Sequence, residues 1–224
     1  MQQQVRAALF DLDGVLVFTD RYHCRAWHRL AKDEGWTFDA QLNDRLRGVS
    51  RLASLQVILE HNGLTLDAAA CVQLADRKNR YYVESLQEMS TADLYPGARE
   101  LLRSLRWRGI KLGLCSASRN APEVLERLEL SQWFSATITG ADIVRSKPDP
   151  EIFLKGAAAL GMARHNCVVF EDAPAGITAA KAAGMKCIGV GTAALLEEAD
   201  WVVTNYADLP LDELFGVERQ SAPA

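Results

Sequence analysis

Apolar positions along the chain follow two different rhythms. Near the start, Ala8-Leu9-Phe10 ends abruptly in Asp11-Leu12-Asp13-Gly14-Val15. That apolar run is too short for a typical helix and has no amphipathic period, so it predicts a buried strand of a parallel sheet. From 19 to 91 the rhythm is helical. Segments 22–34, 39–47, 52–61 and 67–89 repeat apolar residues every three or four positions, with Gly35, Gly48 and Gly63 between them. After Tyr95-Pro96-Gly97, helical stretches at 98–108, 121–130, 150–160 and 175–183 alternate with apolar strands at 111–115, 136–139, 168–170, 187–190 and 201–203. Alternation of this kind predicts an α/β core with a doubly wound parallel sheet and right-handed crossovers, and the opening strand belongs to it. The helical stretch is then an inserted domain at 18–91, and the core comprises 1–17 and 92–224. Two chain crossings permit hinge closure over a site at the carboxyl edge of the sheet. The chain has no internal repeat or low-complexity segment, and only the tail beyond about 217 reads as loose.

Composition narrows the classes of partner. Hydrophobic residues make up 49% and charged residues 24% of 224 positions, ordinary for a globular protein. Lys and Arg number 25 against 29 Asp and Glu, a net charge of -4, which leaves no broad basic surface for nucleic acid. A small-molecule partner is expected, with no nucleic acid and no membrane. Cys24, Cys71, Cys115, Cys167 and Cys187 are scattered without a C-x-x-C pair, as small core residues in a reducing compartment would be. No apolar stretch approaches the roughly 20 residues that cross a bilayer, and the first residues lack the apolar region of a signal peptide. The expectation is a cytoplasmic monomer.

The chemistry concentrates at predicted strand ends. Strand geometry would turn Asp11 and Asp13 to the same side, and two close carboxylates call for a cation between them or a proton on one. A hard divalent ion such as Mg²⁺ fits, although an isolated D-x-D-G is also an ordinary Asx turn. Ser116 opens Ser116-Ala117-Ser118-Arg119-Asn120 after an apolar strand and could equally be a helix N-cap. Lys147 lies in Ser146-Lys147-Pro148-Asp149-Pro150, and Glu171-Asp172 follows Val168-Val169-Phe170, where acidic residues also serve as helix caps. Together these four features place a nucleophile, an acid/base, an ammonium and further metal ligands along one sheet edge.

Through Asp11-x-Asp13-Gly14, Ser116, Lys147 and Glu171-Asp172 the chain resembles the haloacid dehalogenase (HAD) superfamily of phosphotransferases over almost its whole length. The resemblance implies a HAD-like, Rossmannoid core, with the insertion as its cap domain. Tyr22-His23-x-x-Ala26-Trp27, Arg47-Gly48-Val49-Ser50-Arg51-x-x-Ser54, Arg77-Lys78-Asn79 and Ser116-Ala117-Ser118-x-Asn120 are similar to the β-phosphoglucomutase subgroup of that superfamily.

By this resemblance Asp11 is the nucleophile that becomes an aspartyl phosphate, and Asp13 is the acid/base. Lys147 and Ser116 stabilise the transferring phosphoryl group. One Mg²⁺ per site is held by Asp11, the Asp13 carbonyl and Asp172, with help from Glu171. The same resemblance makes His23 and Lys78 couple cap closure to Asp13. It makes Gly48, Val49, Ser50 and Arg51, with Trp27 and Ser54, the cap's substrate-binding set. On the core side, Ala117, Ser118, Arg119 and Asn120 grip phosphate beside Ser116. Two positions depart from the pattern: Phe18 replaces a polar hinge residue, and Arg119 replaces a lysine.

The implied reaction interconverts β-D-glucose 1-phosphate and D-glucose 6-phosphate through the 1,6-bisphosphate. A sugar-phosphate or phosphoglycolate-type phosphatase shares every core residue and stays open, as does a phosphosugar-binding protein without turnover.

Overall fold

The computed structural model describes residues 5–46 and 49–216. The chain divides into two compact units, one joining the residues through Phe18 to those from Ser90 onward, the other running Thr19–Met89.

The Thr19–Met89 unit is helical: α1 (Asp20–Glu34), α2 (Ala40–Asp44), α3 (Arg51–His61) and α4 (Ala68–Ser85). α1 buries Tyr22, Ala26, Trp27, Leu30 and Ala31, a single stripe at helical spacing. That stripe and α4 supply much of a core completed by Leu42, Leu55, Ile58 and Leu59. Helix starts are chemically marked, since the Asp39, Ser50 and Asp67 side chains each accept from the backbone N–H three residues on. α1 stops at Gly35, which takes the left-handed conformation that closes its last turn. The helix expected over 67–89 ends at Ser85 and tightens into a 3₁₀ turn, Leu86–Glu88.

In the other unit the described residues form one six-stranded parallel sheet. Its strands are β1 (Ala7–Phe10), β2 (Lys111–Cys115), β3 (Ala136–Ile138), β4 (Cys167–Glu171), β5 (Lys186–Val190) and β6 (Trp201–Val203). They lie in the order β3-β2-β1-β4-β5-β6. β1 and β4 are buried throughout, which is why their sequences are apolar runs, broken only by Glu171 at the end of β4. Each large side chain removed from water there, such as Leu9 or Phe170, contributes about 1.5–3 kcal/mol. The helices are α5 (Ala98–Trp107), α6 (Ala121–Arg127), α7 (Glu151–Ala159), α8 (Pro174–Ala182) and α9 (Leu211–Phe215). α6 is shorter than the expected 121–130 because Leu130 N–H closes on Leu125 O, with Glu129 at a φ of 56°. α9 was not expected from the sequence.

Strand order reverses between β1 and β4, the position where doubly wound sheets leave a crevice at their carboxyl ends. The chain segments on either side of the helical unit pair with one another. Val17 bridges Leu94 in antiparallel fashion, and Tyr95 N–H donates to Leu16 O at 2.8 Å.

Candidate active site

β1 stops at Phe10, and the following residues build the site. Asp11 N–H donates to Phe170 O at 3.0 Å, extending the Phe10–Phe170 register and setting Asp11 beside Glu171 at the end of β4. The expected strand geometry does not carry as far as Asp13. That residue lies in a tight turn, closed by Gly14 N–H to Val17 O at 2.9 Å and by an Asp13–Val17 bridge. Gly14 has a φ of 74°, and a Cβ added there would sit 1.9 Å from Asp172 Oδ2. Only glycine allows that approach.

Lys147 joins the two strands. Its Nζ donates to Asp11 Oδ1 and to Glu171 Oε1. It reaches them from the loop after β3, which acidic side chains tie down. Glu151 accepts from Val144 and Arg145 N–H, and Asp149 Oδ1 accepts from Glu151 N–H at 2.9 Å. The Lys147–Pro148 peptide is cis. Burial alone would lower the Lys147 pKa, but Asp11 and Glu171 outweigh it and hold the ammonium above its ordinary value.

Glu171 is 1% exposed and uses both oxygens within the protein. One accepts from Lys147, and the other accepts from Asp172 N–H at 3.0 Å and Ala173 N–H at 3.1 Å. Its carboxylate rests on α8 at Gly176, where a Cβ would come within 1.9 Å of Oε1. Glu171 thus anchors Lys147 through one oxygen and the backbone before α8 through the other. Asp172 stands beside three other carboxylates. Burial, followed by the negative charges of Asp11, Glu171 and Asp13, pushes its carboxyl up to about 8. The residue as a whole is exposed, so solvent tempers this shift, but three neighbouring carboxylates fix its direction.

No three His, Cys, Asp or Glu side chains among the described residues form a metal cage by themselves. The carboxylates of Asp11 and Asp172 instead offer hard oxygens at a crowded anionic edge. That donor set suits Mg²⁺, which keeps several waters and takes the rest of its shell from one or two carboxylates and substrate phosphate.

Ser116 follows β2 and is 1% exposed. It does not cap α6, whose N-cap position is Asn120. Its Oγ accepts from Ser118 N–H at 3.1 Å, and Ser118 Oγ accepts from Asn120 N–H at 3.2 Å, two successive serine turns. Gly140 lets a neighbouring loop close on this one, since a Cβ there would lie 2.1 Å from Ala117 O. Ala117 and Arg119 are exposed, while Ser118 and Asn120 are half-buried.

Within the helical unit, Lys78 is 2% exposed, and its Nζ meets His23 Nδ1 at 2.8 Å. Trp27 and Tyr82 present ring faces 4.8 and 5.2 Å from the same ammonium, and Tyr82 stacks on His23 with centroids 4.1 Å apart. An ammonium only donates, so Nδ1 is the acceptor and His23 carries its proton on Nε2. Burial, then Lys78 and Arg51, hold the imidazole well below its ordinary pKa and therefore neutral.

Ser50 caps α3, Arg51 opens it, and Ser54 Oγ donates to Val49 O at 3.3 Å. Arg47 and Gly48 lie outside the described residues. Sequence reasoning missed Tyr82, although its place four residues after Lys78 puts both on one helical face. It also assigned nothing to Gly140 or Gly176, whose importance depends on what approaches them.

No helix among the described residues is long and apolar enough to cross a membrane. Comparison with known proteins agrees with the geometry. The family profile of haloacid dehalogenase-like hydrolases matches residues 5–184. The chain is 42% identical over 212 residues to the β-phosphoglucomutase of Bacillus subtilis (strain 168), covering 94% of each. It is 32% identical to a phosphorylated carbohydrates phosphatase of Thermotoga maritima, over 82% of this chain and 84% of that one. A crystal structure of β-phosphoglucomutase from Clostridium difficile superposes with a TM-score of 0.85 at 38% identity, covering 94% of this chain and 95% of the other. With Asp11, Lys147 and Glu171 joined at the switch point of a doubly wound sheet and the family profile matched over residues 5–184, the chain belongs to the haloacid dehalogenase-like hydrolase family.

Proposed function

We propose that the protein is a phosphotransferase that interconverts β-D-glucose 1-phosphate and D-glucose 6-phosphate through β-glucose 1,6-bisphosphate. The observation that carries this reading is the likeness to a β-phosphoglucomutase over 94% of both chains, cap unit included. Asp11 attacks phosphorus and becomes an aspartyl phosphate, dividing one transfer between two hydroxyls into two steps. Lys147, fixed by Glu171, and Ser116 meet the phosphoryl oxygens as their charge redistributes. Asp13 gives a proton to the leaving oxygen and later takes one from the attacking hydroxyl. Asp11, the Asp13 carbonyl and Asp172 would hold Mg²⁺, which supplies positive charge against the phosphate. Val49, Ser50, Arg51 and Ser54 are proposed to read the sugar and its distal phosphate, with Gly48 beside them. Ala117, Ser118, Arg119 and Asn120 are proposed as the phosphate-gripping rim on the core side. The five free thiols suit a reducing, cytoplasmic setting.

Incubation with Mg²⁺, β-glucose 1-phosphate and a trace of the bisphosphate tests the reaction. Glucose 6-phosphate is the expected product; stoichiometric inorganic phosphate would instead establish a phosphatase. That second reading has support of its own in the 32% identity to the Thermotoga maritima phosphatase. The two activities differ in whether water reaches the phosphoenzyme, and the neutral His23 with its buried Lys78 partner is proposed to govern that choice. His23→Ala should raise the ratio of hydrolysis to transfer several-fold, measured as phosphate released per glucose 6-phosphate formed. An unchanged ratio would remove His23 from this role.

A further inference from the structure

The α/β unit contains an aromatic column that the reaction does not account for. Centroids run Phe18 to Tyr95 at 4.9 Å, Tyr95 to Tyr206 at 5.3 Å, Tyr206 to Phe170 at 6.2 Å and Phe170 to Phe10 at 4.4 Å. One end lies in the paired segments around Val17 and Leu94. The other consists of the residues immediately before Glu171 and Asp11. Tyr206 stands in the middle, 4% exposed, and its hydroxyl donates to Val15 O at 2.7 Å, joining residues 191 positions apart.

That carbonyl belongs to the turn carrying Asp13. Leu12 O accepts from Leu16 and Val17 N–H, and Gly14 N–H donates to Val17 O, so the turn is closed from within on one side. Tyr206 grips it from outside. Asn205 caps the 3₁₀ turn Tyr206–Asp208 by accepting from Ala207 N–H at 3.0 Å, which fixes where the ring starts. Gly97, at a φ of 78° that favours glycine, lies against Tyr206. Burial, then Tyr95 and Asp172, raise the phenol's pKa well above its ordinary value, so the hydroxyl remains a donor. Phenylalanine would fill the same ring volume. What tyrosine adds is one hydrogen bond, directed to the residue two places beyond Asp13.

We propose that Tyr206 is a positioning residue for the Asp11–Asp13 turn: its hydroxyl, held by the aromatic column, fixes the Val15 carbonyl and through it the placement of Asp13. Tyr206→Phe keeps the ring and deletes the bond. Two measurements read the result. Amide hydrogen exchange in a peptide spanning residues 12–18 should become several-fold faster without any substrate present. Turnover should fall about tenfold in kcat with KM within about twofold of wild type, because a small misplacement of an acid/base affects the chemical step and not binding. A role confined to stability would lower Tm and leave both readouts at wild-type values. Unchanged exchange at 12–18, or unchanged kcat, overturns the proposal. The kinetic arm rests on Asp13 as acid/base and uses whichever phosphoester the wild type turns over. The exchange arm needs no substrate, so a failed mutase assay leaves it intact.

Discussion

Asp11→Asn is expected to lower kcat by about 10⁴-fold while the protein folds with its secondary structure intact. Asparagine fills the same volume, but its amide is a poor nucleophile and brings no charge to Lys147. The phosphorylated enzyme should disappear with it: intact-protein mass spectrometry after incubation with a phosphoryl donor should find no phosphate adduct. Asp13→Asn should lose transfer to sugar on a similar scale, but its Asp11 should still be phosphorylated by an acyl phosphate, whose leaving group needs no acid. An adduct that persists in Asp11→Asn, or turnover within about tenfold of wild type, would move the nucleophile elsewhere.

Lys147→Met should show a large effect on stability as well as on rate. Removing the ammonium leaves Glu171, 1% exposed, without its counter-charge, a loss of about 3–5 kcal/mol for a buried pair broken on one side. Burial, joined by Asp11, already outweighs Lys147 and holds the Glu171 pKa above its ordinary value, and loss of the ammonium would raise it further in the folded state. A carboxyl with a raised folded pKa binds more protons when folded, so folding gains stability as pH falls. The gap between variant and wild type should therefore narrow as pH is lowered toward about 5. Urea denaturation across pH measures it, and a pH-independent gap would mean that the charge pair is not the cause. Turnover should fall by about 10²-fold or more at every pH, since no donor replaces Nζ at the phosphoryl oxygens.

The sheet was legible because its central strands are buried on both faces. Runs such as Val168-Val169-Phe170 and Lys111-Leu112-Gly113-Leu114-Cys115 admit few alternatives when helices of ordinary length separate them. The insertion was legible because apolar spacing changes at 19 and changes back after 91. The residues at the strand ends could be singled out, but their partners could not. Lys147 could be placed at the sheet edge, but its contact with Asp11, 136 positions earlier in the chain, is made only by the fold. Glu171 stood in an acidic pair after a strand, and nothing in its neighbours announces the contacts with Lys147 and Gly176. Ser116 satisfied the signature of a helix cap, yet the N-cap is Asn120, four residues later, and the intervening serine turns are set by hydrogen bonds that composition does not encode. Tyr206 lies in a polar stretch near the end of the described chain, and its bond to Val15 spans nearly the whole sequence.

The pairing of Leu16 and Val17 with Leu94 and Tyr95 has a consequence for how such a protein diversifies. Both ends of the inserted segment leave the sheet from one stitched seam, so its length and composition can vary without shifting any strand register. The seam works as a socket: the contacts that hold Asp11, Lys147 and Glu171 together lie wholly on its α/β side and do not pass through the inserted segment.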